Sequence, residues 1–163
     1  MKNLISGKPL EPVDLKILNV IQHNGRISNL ELSADVGLSS TPCWRRLKSL
    51  EQRKFITSYH ARLDRKLLGY DIHAYVLIEA SVHTEQETRN FEKFIISRDE
   101  VLAFHNVTGN FDFVIQVIAR TMDEYVSFIE NVLRKVPTIK TIQSNITLRE
   151  LKNQSQIPLP LEL

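Results

Sequence analysis

Residues 28–48 read SNLELSADVGLSSTPCWRRLK, and they decide how the first third of the chain folds. Ser28 followed three residues later by Glu31 is a capping box. The hydroxyl meets the N3 amide, and the carboxylate reaches back to the cap amide. Leu32 and Val36, four apart, share one face of the helix that begins there. Gly37 supplies a position where a positive φ carries no steric cost. The next helix starts at Ser39 or Ser40, with Pro42 tolerated in its first turn. Cys43, Leu47 and Leu50 fall at i, i+4, i+7 and face inward. At about 100° per residue the opposite face presents Thr41, Arg45, Lys48 and Gln52, with Trp44 and Arg46 on the flanks. Two short helices at a tight turn, the second turning cations outward, form the layout of a helix-turn-helix that reads DNA.

Upstream, Pro12 suits a first helical turn, and Val13, Ile17, Val20 and Ile21 repeat at helical spacing until Asn24-Gly25. Downstream, Phe55-Ile56 and 59–62 predict a short extended segment, either a small wing or a connecting strand. The stretch 64–70 reads as a hinge pivoting at Gly69. From 72 to 82 every even residue is apolar (Ile72, Ala74, Val76, Ile78, Ala80, Val82), which predicts a strand with one committed core face. Thr84 and Glu87 cap a helix carrying Phe91, Phe94 and Ile95. An extended run over 101–108 meets the turn signal Gly109-Asn110. Phe113, Ile115, Val117 and Ala119 then alternate. Thr121 and Glu124 cap a further helix bearing Tyr125, Phe128, Ile129, Val132, Leu133 and Val136, which Pro137 ends. Ile142, Ser144, Ile146 and Leu148 predict a last strand. The order βαββαβ is the ferredoxin-like arrangement, so the fold class is α+β. The expected divisions are a tail over 1–11, a DNA-binding domain over 12–63 with its helix-turn-helix at about 29–48, the hinge, a second domain over 71–150, and a C-terminal tail over 151–163 that orders on a partner.

The chain has 163 residues, 42% hydrophobic and 25% charged, as expected of a globular protein. No apolar run approaches a membrane span, and the N-terminus lacks a secretory signal's apolar core. The lone Cys43 excludes an intrachain disulfide and fits a cytoplasmic location. Charge is unevenly divided. Residues 1–66 carry 12 Lys and Arg against 6 Asp and Glu, whereas 67–163 carry 9 against 13. The basic half is suited to phosphate contact and the acidic half is not. The five histidines lack metal-ligand spacing, and neither a nucleophile–base arrangement nor a phosphate-cradling loop is legible. No metal, cofactor or catalytic residue is therefore expected.

The candidate DNA contacts are Ser39, Ser40, Thr41, Trp44, Arg45, Arg46, Lys48 and Gln52. Arg45 can fork onto a guanine, and Ser40 and Thr41 can bond a base or a phosphate. Arg46 and Lys48 lie where the helix passes the backbone, and Trp44 can pack on sugar or brace the helix.

The segment GRISNLELSADVGLSSTPCWRRLKSLEQRKFI resembles the N-terminal domain of the leucine-responsive/asparagine-activator (Lrp/AsnC, feast/famine) regulators. HNVTGNFDFVIQV is similar to that family's effector-loop motif. The resemblance covers about residues 10–153. It implies a winged helix-turn-helix, a hinge strand and a βαββαβ domain that forms homodimers, assembles into tetramers or octamers, and binds an amino-acid effector between dimers. Thr108, Gly109, Asn110, Phe111 and Asp112 would be the effector-binding residues. On the residues alone this segment reads as an ordinary hairpin turn with Asp112 as its capping carboxylate. The function expected is a DNA-binding transcriptional regulator, not an enzyme, whose assembly or DNA affinity a small amino acid modulates. The alternative is an amino-acid-binding protein or small metabolic enzyme on a ferredoxin-like fold, with the helices serving assembly.

Overall fold

The computed structural model describes residues 10–81 and 84–161. The chain divides into two compact units, residues 1–62 with 153–163, and residues 63–152.

The first unit contains α1 (Pro12–His23), α2 (Asn29–Val36) and α3 (Ser40–Gln52). Ile17, Ile21, Leu32, Val36, Cys43 and Leu50 form its buried core, with Val13, Val20, Leu47, Phe55 and Ile56 packed at the margin. These are the inward stripes expected from the spacing. Ser28 and Glu31 close the expected capping box on α2. A second box, not anticipated, joins Glu11 and Asp14 at the start of α1. It escaped the sequence because its cap residue is a glutamate, a type uncommon at that position.

The expected extended segment over 55–62 gains no strand. Phe55 and Ile56 are drawn into the helical core, and among the described residues no strand pairs with the rest. Tyr59 is instead pinned: its hydroxyl donates to Glu51 Oε1 at 3.0 Å, and its ring closes on Gly25, where a Cβ would meet Cδ1 at 3.3 Å. The C-terminal tail, expected to order on a partner, runs with this same unit. The Gln22 side chain clasps one residue of it twice. Its Nε2 donates to Ile157 O at 3.1 Å, and its Oε1 accepts from Ile157 N at 3.0 Å. Arg62 also donates to the Asn153 carbonyl.

The second unit is one antiparallel sheet in the order β2-β3-β1-β4, from β1 (Ile72–Ala80), β2 (Val101–Asn106), β3 (Phe113–Ala119) and β4 (Ile139–Ile146). Helices α4 (Glu85–Ile96) and α5 (Met122–Phe128) connect the strands, so βαββαβ is realised. Ala74, Val76 and Ile78 of β1 pair with Val117, Ile115 and Phe113 of β3 and carry the core face. Phe91 and Ile95 of α4, and Tyr125 and Phe128 of α5, cover that face. The opposite face, with Tyr75, Leu77, Val114 and Gln116, is left without a helix of its own unit. Val82, expected on the core face of β1, lies outside the described residues.

Three boundaries differ from expectation. The strand expected over 101–108 ends at Asn106, and the last strand starts at Ile139 rather than Ile142. The helix expected to run to Pro137 changes to a π-turn over Ile129–Leu133. The helical spacing of the apolar residues hides such an extra residue per turn, because Ile129 and Leu133 are buried either way. Thr121 accepts from Glu124 N as expected, but Glu124 returns its carboxylate to Arg120 N, one residue early.

Candidate functional site

Helix α3 is presented by its own packing. Cys43 and Leu50 are wholly buried beneath it, and Thr41, Trp44, Arg45, Lys48 and Gln52 are exposed. The Cys43 thiol pKa is pushed up by burial, so it remains a protonated core hydrophobe. Ser39 is the N-cap, in extended backbone, and its side chain makes no cap bond. Ser40 is half-buried: its carbonyl accepts from Asn29 Nδ2 at 3.0 Å, and its hydroxyl approaches Ser33 Oγ at 3.4 Å. These contacts fix the spacing between α2 and α3. Asn29, Ser40, Thr41 and Trp44 together line a shallow open concavity of about 240 Å³ at the N-terminal end of α3. Asn29 was not among the sequence candidates, because its position at the start of α2 carries no periodic signal.

The two adjacent arginines have opposite fates. Arg45 is exposed on the outward face. Arg46, expected to reach phosphate, is turned inward. Its Nη1 binds Asp14 Oδ1 at 3.0 Å and its Nη2 binds Glu11 Oε2 at 2.7 Å. Asp14 is only 5% exposed, and its other oxygen holds the Glu11 amide at 3.0 Å. The bond from Asp14, then that from Glu11, raises the Arg46 pKa further above its ordinary value. One guanidinium thus ties the first turn of α1 to the middle of α3. The reason is physical: a buried carboxylate demands a cation, and Arg46 is the one supplied. The partners lie 32 and 35 residues away, beyond what local spacing can reveal.

Lys48 is exposed but pairs with Glu51 at 2.7 Å. That bond, aided by the Tyr59 hydroxyl, holds the Glu51 pKa below the usual carboxylate value. Burial, then Glu51, pushes the Tyr59 pKa up to about 12. The phenol therefore stays protonated and keeps donating.

The loop 108–112 joins β2 to β3. Thr108, Gly109 and Asn110 are exposed and Phe111 is half-buried. Gly109 has φ 118°, a left-handed conformation that disfavours any side chain. Asp112 closes the loop with both backbone and side chain. Its carbonyl accepts from Val107 N and Asn106 Nδ2, each at 2.9 Å. Its amide donates to Ile78 O at 2.9 Å, and its Oδ2 accepts from Ala80 N at 2.7 Å. The β1–β3 ladder ends at Ile78 and Phe113, so this carboxylate satisfies the Ala80 amide that lies two residues beyond it. On the same edge Glu79 pairs with Lys140 and Thr141. Glu79, and to a smaller degree Asp112, raises the Lys140 pKa.

Three further facts bound the chemistry. Among the described residues no group of three His, Cys, Asp or Glu could hold a metal ion. No described helix is long and apolar enough to cross a membrane. His73, 4% exposed, accepts from Gln116 Nε2 at 2.6 Å through its Nε2.

Comparison with known proteins gives the same two-part picture. Residues 73–157 match the family model described as the Lrp/AsnC ligand binding domain, and residues 10–57 match that of winged helix-turn-helix DNA-binding. The chain is 34% identical over 156 residues to a leucine-responsive regulatory protein of Haemophilus influenzae, covering 94% of this chain and 92% of that one. It is 32% identical over 150 residues to the Bkd operon transcriptional regulator of Pseudomonas aeruginosa, covering 92% and 98%. Among solved structures, a transcriptional regulator from Neisseria meningitidis in complex with L-methionine superposes with a TM-score of 0.88 at 31% identity, covering 91% of this chain and 96% of that one.

Proposed function

The chain belongs to the Lrp/AsnC family of transcriptional regulators, and from that premise we propose that it reads duplex DNA through α3 as a homodimer, with a small amino acid at the loop 108–112 altering its assembly or DNA affinity. The observation that carries the DNA assignment is the division of labour on α3. Arg46 and the inward apolar residues hold the helix, which leaves Thr41, Arg45 and Gln52 free on the exposed face. A guanidinium so presented can fork onto guanine O6 and N7 in the major groove. Lys48 can leave Glu51 for a phosphate, since an exposed ion pair is worth little. Ser39, Ser40 and Trp44 border the same end of the helix and complete the proposed contact set.

For the effector, a free amino acid carries an ammonium and a carboxylate. Asp112 offers the ammonium its second oxygen, the first being engaged by Ala80. The exposed backbone around Gly109 offers N–H groups to the carboxylate. The solved relative that holds L-methionine supports the amino-acid class. Dimerisation through the sheet face bearing Tyr75, Leu77 and Val114, and further assembly to a tetramer or octamer, would let a ligand between dimers shift DNA affinity. Such a protein works in the cytoplasm and is not an enzyme.

A thermal-shift screen of the free amino acids tests the sensing half. At least one should raise the melting temperature of the wild-type protein and not that of Asp112→Ala. An identical rise in both proteins would show that the ligand is held elsewhere.

A further inference from the structure

We infer that Lys54 is a phosphate anchor for duplex DNA, kept at a position whose backbone favours glycine. The chain supplies its own comparison. Three turns share one hydrogen-bond pattern, in which consecutive amides bond back three and five residues. In the first, Gly37 N meets Ala34 O at 3.2 Å and Leu38 N meets Ser33 O at 2.9 Å. In the second, Lys54 N meets Glu51 O and Phe55 N meets Leu50 O, both at 3.0 Å. In the third, Gly69 N meets Lys66 O at 2.9 Å and Tyr70 N meets Arg65 O at 2.8 Å. This is the Schellman closure, which puts its pivot residue in the left-handed region. The pivots have φ of 72°, 62° and 81°. Two are glycines. The other is Lys54, the sole non-glycine with positive φ among the described residues. A Cβ is disfavoured there, and lysine lacks the short polar side chain that eases the conformation for asparagine. The fold therefore gives no reason for lysine at this position.

Its location does give one. Lys54 follows Arg53, the C-cap of α3, at the end opposite Thr41. A helix of 13 residues is about 20 Å long, while the major groove is only ~12 Å wide. When the N-terminal half of α3 enters the groove, its C-terminal end stands beside a phosphate strand. That end carries the negative pole of the helix, which repels phosphate unless a cation intervenes. Of the neighbouring cations, Arg46 is held by Glu11 and Asp14, Arg53 lies 4.7 Å over the Phe55 ring, and Lys48 must first leave Glu51. Lys54 is exposed, and no described residue pairs with it.

The inference rests on the reading of α3 as the DNA-contacting helix. Its test uses the full chain and a labelled duplex of unselected sequence, with affinity followed by anisotropy across a salt series. Lys54→Gly should melt higher by roughly 1–4 °C, because strain is relieved. It should nonetheless bind the duplex several-fold more weakly, with the slope of log K against log salt reduced by about 0.9 per contacting chain. Lys54→Arg should retain both affinity and slope. If the wild type binds and Lys54→Gly binds with equal affinity and slope, Lys54 is not an anchor, and α3 as the DNA reader still stands. If the wild type fails to bind at low salt, both fall together.

Discussion

Helix α3 and the loop 108–112 are both exposed, yet they stand differently towards their proposed ligands. The residues that hold α3 lie mostly on its inner side: Cys43 and Leu50 in the core and Arg46 on Asp14 and Glu11, with Ser40 against α2 at its start. Its outer face is left to a partner. In the loop, the residue with the ligand chemistry is also the residue that holds the fold, since Asp112 meets Ala80, Ile78, Val107 and Asn106 at once. The reading helix can therefore lose a contact residue without loss of structure, while the loop cannot. Adjacent residues sharpen the point: Arg45 and Arg46 are the same amino acid one position apart, one presented and one structural.

The largest effect is expected at Arg46. Arg46→Ala leaves the Asp14 carboxylate buried without its cation, and should destabilise the helical unit by roughly 2–4 kcal/mol. Denaturant unfolding reads this directly, and an unchanged midpoint would mean that the fork contributes nothing. Arg45→Ala should leave the midpoint unchanged and weaken specific DNA binding by roughly 1–3 kcal/mol. Should the two variants show the same pattern, whether both destabilised or both only binding-defective, the division between the faces of α3 is wrong. Asp112→Ala should do a little of both at the other site. It should cost roughly 1–2 kcal/mol of stability through the orphaned Ala80 amide, leave DNA affinity intact and abolish the amino-acid response.

How much of this could be read from the sequence follows the range of the interaction. The inward stripe of α3, the caps at Ser28 and Thr84, and the alternation of β1 and β3 are set by neighbours within four residues, and all are present. What the sequence hid depends on distant partners or on a single inserted residue. The Arg46 fork spans more than 30 positions, and the tail's return to Gln22 spans 135. The π-turn at Ile129 leaves the burial of the stripe intact. At the candidate site the outward positions Thr41, Arg45, Lys48 and Gln52 were legible, because a helix fixes direction. A capping role for Asp112 was legible too, but its partner was not, because nothing local marks the amide of Ala80, 32 residues away, as lacking a ladder partner.

Smaller effects separate the two units further. His73 belongs to the sheet unit, and burial, then the nearby Arg65, holds its pKa below the ordinary value, with Glu150 opposing. The folded protein therefore keeps the imidazole neutral, accepting from Gln116 with Tyr75 beside it. The unfolded chain takes up that proton near pH 6.5, so this stability is complete above that pH and is lost as pH falls towards the lower folded value. Unfolding measured from pH 7.5 downwards should show a decline that His73→Gln reduces. An equal decline in both proteins would show that His73 does not set it. The least effect, roughly 0.5–1 kcal/mol, is expected for Gln22→Ala, which releases the two bonds to Ile157 at the surface of the helical unit. It should register in helical-unit protection from hydrogen exchange and leave the sheet unit unaltered.

In the proposed function, α3 presents a prepared DNA-reading face. The measurement that tests it most directly is equilibrium binding of the full wild-type chain to duplex DNA over a rising salt series, alongside Arg45→Ala. Tight binding at low salt that weakens steeply as salt rises is expected, with Arg45→Ala folded as stably as wild type and bound more weakly to its preferred sequence. Absence of duplex binding at low salt, or an Arg45→Ala protein that binds its preferred sequence as well as wild type, would contradict it.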